Sequence, residues 1–153
     1  MSWKWTTGEK REISEESRAL YAEVEPTDDP LLLCEVRVYL GEYQTAVRML
    51  DLARREQKAR ASADGVTYYG EVGATPEVWI ARMHDVENFI RSLPHMPCKM
   101  LLYYHYIYGD TVERTAEDLD ISRRHAFRLK KRALGLAAAC YPIWRAHHPY
   151  PTE

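Results

Sequence analysis

Apolar side chains fall into two runs of alternating three- and four-residue steps along the first two thirds of the chain. Leu33, Val36, Leu40, Tyr43, Val47 and Leu50 step by 3, 4, 3, 4 and 3, and Trp79, Met83, Val86, Ile90 and Leu93 by 4, 3, 4 and 3. Such steps keep each set on one side of a helix. The first run predicts a helix from Pro30 or Leu31 to about Ala63, polar after Leu50. The second predicts a helix opened by Thr75-Pro76-Glu77, with Thr as cap and Pro at the first helical position, and ended by Pro94 and Pro97. Asp64 to Ala74, with Gly65, Gly70 and Gly73, is the loop between them. Its glycine spacing matches neither GxGxxG nor GxxxxGK[ST], so it is no phosphate cradle. Two such helices form an antiparallel hairpin. The shorter one covers the latter half of the longer and leaves Leu31 to Tyr43 to another surface. Of the two candidates, the rest of the chain or a second copy, a homodimer through Leu33, Val36, Leu40, Tyr43 and Val47 is expected.

The C-terminal third has a different pattern. Lys99 to Tyr108 predicts a helix with Leu101, Tyr104 and Tyr108 on one face and Tyr103, His105 and Tyr106 turned outward. Gly109 ends it. Thr111 to Leu134 reads as helix, short turn, helix. Val112, Thr115, Ala116 and Leu119 pack the first helix, Asp120-Ile121 makes the turn, and Ser122 caps the second. Ala126, Leu129, Ala133 and Leu134 recur at helical spacing, while Arg123, Arg124, Arg128, Lys130, Lys131 and Arg132 place six cations in ten residues. A helix of this kind suits a DNA major groove, where Arg meets guanine O6 and N7 with two hydrogen bonds. Residues near its start reach base edges and later cations meet phosphates. Ser122, Arg123, Arg124, His125 and Arg128 are therefore candidates at or near bases, and Lys130, Lys131 and Arg132 at phosphates. Pro142 is expected to stop the helix after Tyr141, and YPIWRAHHPYPTE to pack as an extended arm.

The stretch LLYYHYIYGDTVERTAEDLDISRRHAFRLKKRAL resembles the fourth region of bacterial sigma factors and related helix-turn-helix domains. The likeness covers Pro97 to Leu136. Leu119, Ile121, Ser122, Ala126, Arg128 and the Ala133-Leu134 pair stand where that pattern has leucine, isoleucine, serine, a small or β-branched residue, a base and Ala-Leu. Asp120 replaces the usual turn glycine, so an Asp has to take a left-handed backbone. Arg114 replaces a usual Glu. In layout the chain is similar to small phage regulators of late transcription, the ArpU and RinA group. That resemblance implies a transcription regulator of phage or prophage origin, with RNA polymerase as a possible partner.

Composition adds an asymmetry. The net charge is −2, yet residues 121–153 hold seven Lys/Arg against one acid, leaving −8 over residues 1–120. A basic end on an acidic body predicts one oriented contact with a polyanion. The 46% of hydrophobic residues is enough for a sizeable core.

Residues 1–12 read as a loose terminus carrying Trp3 and Trp5. Ser14 caps a short helix through Leu20, Tyr21 and Val24, closed by Pro26. Cys34, Cys98 and Cys140 lie far apart with no CxxC pair, and buried thiols in a reducing cytoplasm are expected. Met1 to Trp5 lacks an apolar core, so no signal peptide is expected, and no apolar run approaches the ~20 residues of a membrane span.

GxSxG, HExxH and P-loop patterns are absent, so no catalytic residue, cofactor or metal ligand is assigned, and a binding protein rather than an enzyme is expected. The expected fold class is all-α: a segment with a short helix (1–30), a coiled-coil-like antiparallel hairpin that oligomerises (31–94), a helix-turn-helix domain (95–141) and a Pro/aromatic tail (142–153). The expected function is sequence-specific binding of double-stranded DNA by helix 122–140, in the bacterial cytoplasm at the nucleoid. Two alternatives are a terminase-like small subunit of a phage packaging machine and a helical adaptor that binds protein only.

Overall fold

The computed structural model describes residues 20–59 and 74–152 in full and the backbone of 60–63. Trp3, Trp5, the helix capped by Ser14 and the glycine loop lie outside the described residues. Every regular element among the described residues is helical: α1 (Pro30–Ala63), α2 (Pro76–Ser92), α3 (Met96–Leu102) continued by a π-helical turn (Tyr103–Ile107), α4 (Val112–Leu119) and α5 (Arg123–His147). None of these helices is long and apolar enough to cross a membrane.

The helix starts follow from local chemistry. The Leu31 N–H donates to Asp29 Oδ1 at 3.0 Å, and the Val78 N–H to Thr75 Oγ1 at 3.4 Å. Each bond occupies one of the N–H groups that a helix start leaves without an intrahelical partner. Along α1 and α2 the contacts run in opposite senses. Tyr39 meets Asp85 and Phe89, while Tyr43, Leu50, Arg54 and Gln57 share a cavity of about 400 Å³ with Glu87, Met83, Ile80 and Pro76.

The first half of α1 is not left beyond its partner. Val36 and Leu40 are wholly buried, and Leu33 and Tyr43 are half-buried against the same core. Beside α2, this half of α1 meets α5, which does not stop at Pro142 but continues as helix to His147. Its second half lies on α1, with the Tyr39 and Tyr141 rings 4.4 Å apart. Val36 and Leu40 are therefore core positions of the single chain rather than a dimer seam. Of the five residues expected at such a seam, Val47 alone is exposed, at 38%. The seven-residue spacing marks burial but does not say which surface does the burying.

A second departure lies after α3. The Tyr108 N–H reaches back five residues to the Tyr103 carbonyl at 3.2 Å, and the Asp110 N–H reaches Tyr104 O at 3.0 Å. One wide turn rotates everything beyond it relative to an α-helical register. Tyr103 and Tyr104 are both buried and Tyr108, beyond the wide turn, is exposed, the reverse of the expectation for Tyr103 and Tyr108. His105 and Tyr106 are half-buried. The carbonyls of Tyr106 and Ile107 are met by Gln44 Nε2 of α1, at 3.2 and 2.8 Å. Gly109 then turns the chain at φ 76°, where a side chain would be strained.

Gly135 lies inside α5 for a packing reason. The Thr27 N–H donates to its carbonyl at 3.1 Å, and a Cβ at Gly135 would stand 2.7 Å from Thr27 O. The segment before α1 crosses α5 there. Gly41, in α1, has open space where a Cβ would go. Ala is favoured over Gly in a helix by about 1 kcal/mol, whereas forcing atoms into a packed site costs roughly 1–3 kcal/mol. Gly41→Ala should therefore raise the thermal midpoint by roughly 2–4 °C, and Gly135→Ala should lower it despite the same intrinsic gain. Equal shifts of the two midpoints would show that the crossing at Gly135 is not tight.

Candidate nucleic-acid interface

Helix α4 is opened by Thr111, whose Oγ1 accepts the Arg114 N–H at 3.1 Å. It closes on Asp120 at φ 56° and ψ 47°, the left-handed conformation required of an Asp in this turn. The closing bonds are Asp120 N–H to Glu117 O at 3.2 Å and Ile121 N–H to Ala116 O at 3.0 Å. They satisfy carbonyls at the helix end in the pattern usually built on glycine. Two residues later Ser122 starts α5, its Oγ accepting the His125 N–H at 3.0 Å. The two helices meet through small side chains: Val112, Ala116 and Ala126 are buried together beside Ile121.

One side of α5 is fixed to the core by Ala126, Leu129, Ala133, Ala137, Cys140 and Trp144, all buried. The cations go to three other sides. Arg123, Arg124, Arg128 and Lys131 line one shallow surface with Phe127. His125 and Arg132 are exposed over a different face, an open groove of about 660 Å³ floored by Met100, Leu119 and Leu129. Lys130 is half-buried on the side of His105, whose pKa is lowered mainly by burial, with the Lys130 charge adding to it. The run of positions expected to act together is thus divided by the helical rotation of ~100° per residue. Arg123, Arg124, Arg128 and Lys131 remain together; His125, Lys130 and Arg132 do not join them. Ser122 is exposed, and its hydroxyl oxygen is occupied by its own helix.

Carboxylates nearby engage little of this surface. Arg123 pairs with Glu113 at 3.1 Å, with the two side chains 71% and 46% exposed. An exposed pair of this kind contributes about 0–1 kcal/mol. Arg114 is held by Glu117 and Asp118 of its own helix, each at 3.7 Å. Among the described residues no carboxylate pairs with Arg124, Arg128 or Lys131. The pattern of charges alone did not single out Phe127 or Glu113. Phe127 stands one turn after Arg123, the only apolar position on this surface, and Glu113 lies on the adjacent helix.

Elsewhere, His95 caps α3, with the Cys98 N–H donating to its Nδ1 at 3.3 Å. Cys98 and Cys140 are buried, and burial pushes their thiols up to about 11 and about 12. Cys34 is exposed, contrary to the expectation of three buried thiols.

By fold and surface the described residues form an all-helical protein that carries an outward-facing cationic helix face. Comparison with family models, with curated proteins and with solved structures found no match to it.

The role of Ser122 can be isolated. Ser122→Ala should cost about 1 kcal/mol by removing the cap, and Ser122→Asp should recover most of that. Denaturant titration reads both, and an Asp variant as unstable as the Ala variant would refute the capping assignment.

Proposed function

We propose that this chain is a sequence-specific regulator of transcription, encoded by a phage or prophage, that sets the first half of α5 into the major groove of double-stranded DNA. The observation that carries the reading is the joint exposure of Arg123, Arg124, Arg128 and Lys131 on one face of a helix whose opposite face is locked into the core. The groove admits one helix, and side chains on a fixed helix reach base edges in a fixed register. Val112–Leu119, the turn at Asp120 and the helix from Arg123 serve as the helix-turn-helix unit. The likeness to the fourth region of sigma factors extends the proposal to a late-gene activator that contacts RNA polymerase. The protein acts by binding, not catalysis, in the host cytoplasm.

A homodimer remains part of the proposal, through a different stripe. Leu31, Val38 and Leu52 of α1 are exposed at 80%, 66% and 45% and lie two or four turns apart, on the same side as Gly41 and its open space. Two copies joined there would offer two α5 helices to a symmetric site. Val38→Lys should convert the dimer to a monomer by light scattering with the helix content unchanged. A mass that does not move removes the dimer and leaves the DNA reading in place.

Fluorescence anisotropy on the DNA upstream of the protein's own reading frame tests the central claim. The four cations of this face displace counterions condensed on the phosphates lining the groove, so affinity should fall steeply between 50 and 200 mM salt. Arg124→Ala should cost about 1–3 kcal/mol on the preferred site and relax base choice, while Lys131→Ala should weaken all sequences alike. No binding at 50 mM salt would overturn the proposal in favour of a helical adaptor.

A further inference from the structure

We propose that Phe127 is the specificity-determining apolar contact of this helix, and that it reads the C5-methyl group of a thymine in the major groove; the inference rests on the DNA-binding reading above. Phe127 is 44% exposed. Exposure alone means little, since single apolar side chains are common on surfaces. Its neighbours give it meaning. Arg123, Arg124, Arg128 and Lys131 line the same surface, and the Arg123 guanidinium carbon lies 5.7 Å from the ring centroid. The other large exposed apolar side chains among the described residues are on α1, on α2 or at Tyr108, away from these cations.

The ring sits at the middle of the cationic face. It is four residues from Arg123 and Lys131 and three from Arg124, and side chains at these spacings are neighbours on a helix. Cations placed to touch phosphates and guanines on all sides bring the phenyl group down onto base edges between them. Those edges differ in what they can accept. Guanine offers N7 and O6, adenine N7 and an amino group, cytosine an amino group, and thymine O4 and a methyl. A phenyl ring neither donates nor accepts a conventional hydrogen bond, so covering the amino or carbonyl edges would leave them unsatisfied. The thymine methyl is the one apolar feature in that set. The helix should therefore prefer a site in which a thymine lies beside the guanines contacted by Arg123, Arg124 or Arg128.

Deoxyuridine tests this, because it pairs as thymine does and lacks only the methyl. In duplexes carrying the preferred site, thymines are replaced by deoxyuridine one position at a time. The wild-type chain should lose affinity roughly fourfold at one thymine per helix bound, about the worth of one buried methyl group. 5-Methylcytosine opposite guanine at that position should bind better than cytosine. Phe127→Ala should bind the thymine and uracil duplexes equally, and Phe127→Leu, which keeps an apolar contact, should still separate them. Wild-type binding that is indifferent to the methyl at every position, or discrimination that survives in Phe127→Ala, would overturn the inference while the regulator reading stands. Tighter binding to single strands than to duplex would also overturn it, since the ring would then be stacking on bases. Failure to bind any duplex at low salt would instead remove the DNA reading, and this contact with it.

Discussion

The carboxylate of Asp85 holds three helices together. It accepts from the Tyr39 hydroxyl of α1, from Trp144 Nε1 of α5 at 3.3 Å, and from the Arg145 guanidinium of α5 at 2.8 Å. Its side chain is 9% exposed, so its charge is compensated by these donors more than by water. Burial, with Asp85 beside it, raises the pKa of Tyr39 and keeps that hydroxyl a donor. Arg145 also lies 5.2 Å from the rings of Tyr39, Tyr141 and Tyr150, and its Nε donates to the Tyr141 hydroxyl at 3.3 Å. The pair is part-buried, so removing one partner costs less than the ~3–5 kcal/mol of a fully buried pair.

This anchor explains why α5 runs through a proline. Pro142 removes one backbone donor and strains the preceding turn, a cost of about 3 kcal/mol in a helix interior. The residues just beyond it, Trp144 and Arg145, offset that cost only if the helix continues, because a stop at Tyr141 would carry both away from Asp85. The tail then folds back over the same region, with the Tyr150 hydroxyl donating to Glu42 and Arg82 Nε donating to the Pro151 carbonyl. A helix of 25 residues, roughly 38 Å long, is thereby held at its far end while its first turns face outward. The fixed far end lets the near end present side chains at a constant angle.

Features of the chain that depend on neighbours in sequence were legible, and those that depend on distant partners were not. Thr75 and Ser122 could be read as caps because an oxygen at that spacing meets an N–H three residues on. Asp120 could be read as left-handed because it stands where the helix-turn-helix pattern that the stretch resembles has glycine. The π turn could not, since Gln44 on α1 satisfies its carbonyls and nothing within Lys99–Tyr108 announces it. Val36 and Leu40 read as an unpaired seam because α5, which packs on this half of α1 through Tyr141, lies about a hundred positions away. In the candidate interface the charges were plain, but a linear run of cations conceals the rotation that divides it. Arg124 and Arg128 stay together while His125 and Arg132 turn over a separate groove. Phe127 is not marked by the charge pattern, because an apolar residue within a run of cations carries no sign of which side of the helix it takes.

Charge on the adjoining helix sets how the cationic face meets a polyanion. Glu117 and Asp118 are occupied by Arg114, which mutes two carboxylates beside the recognition end. Glu113 instead reaches across to Arg123. Because that pair is exposed, giving it up costs at most about 1 kcal/mol, less than a guanidinium gains from two charge-assisted hydrogen bonds to a phosphate or a guanine. The first cation of α5 is thus held in place in the absence of a ligand yet released at low cost. Arg124, Arg128 and Lys131 need no such exchange. The remaining acidic charge lies over residues 1–120, which carry −8 against +6 on residues 121–153. On the proposed reading, this asymmetry would favour a duplex that meets α5 over one that meets the acidic part of the chain.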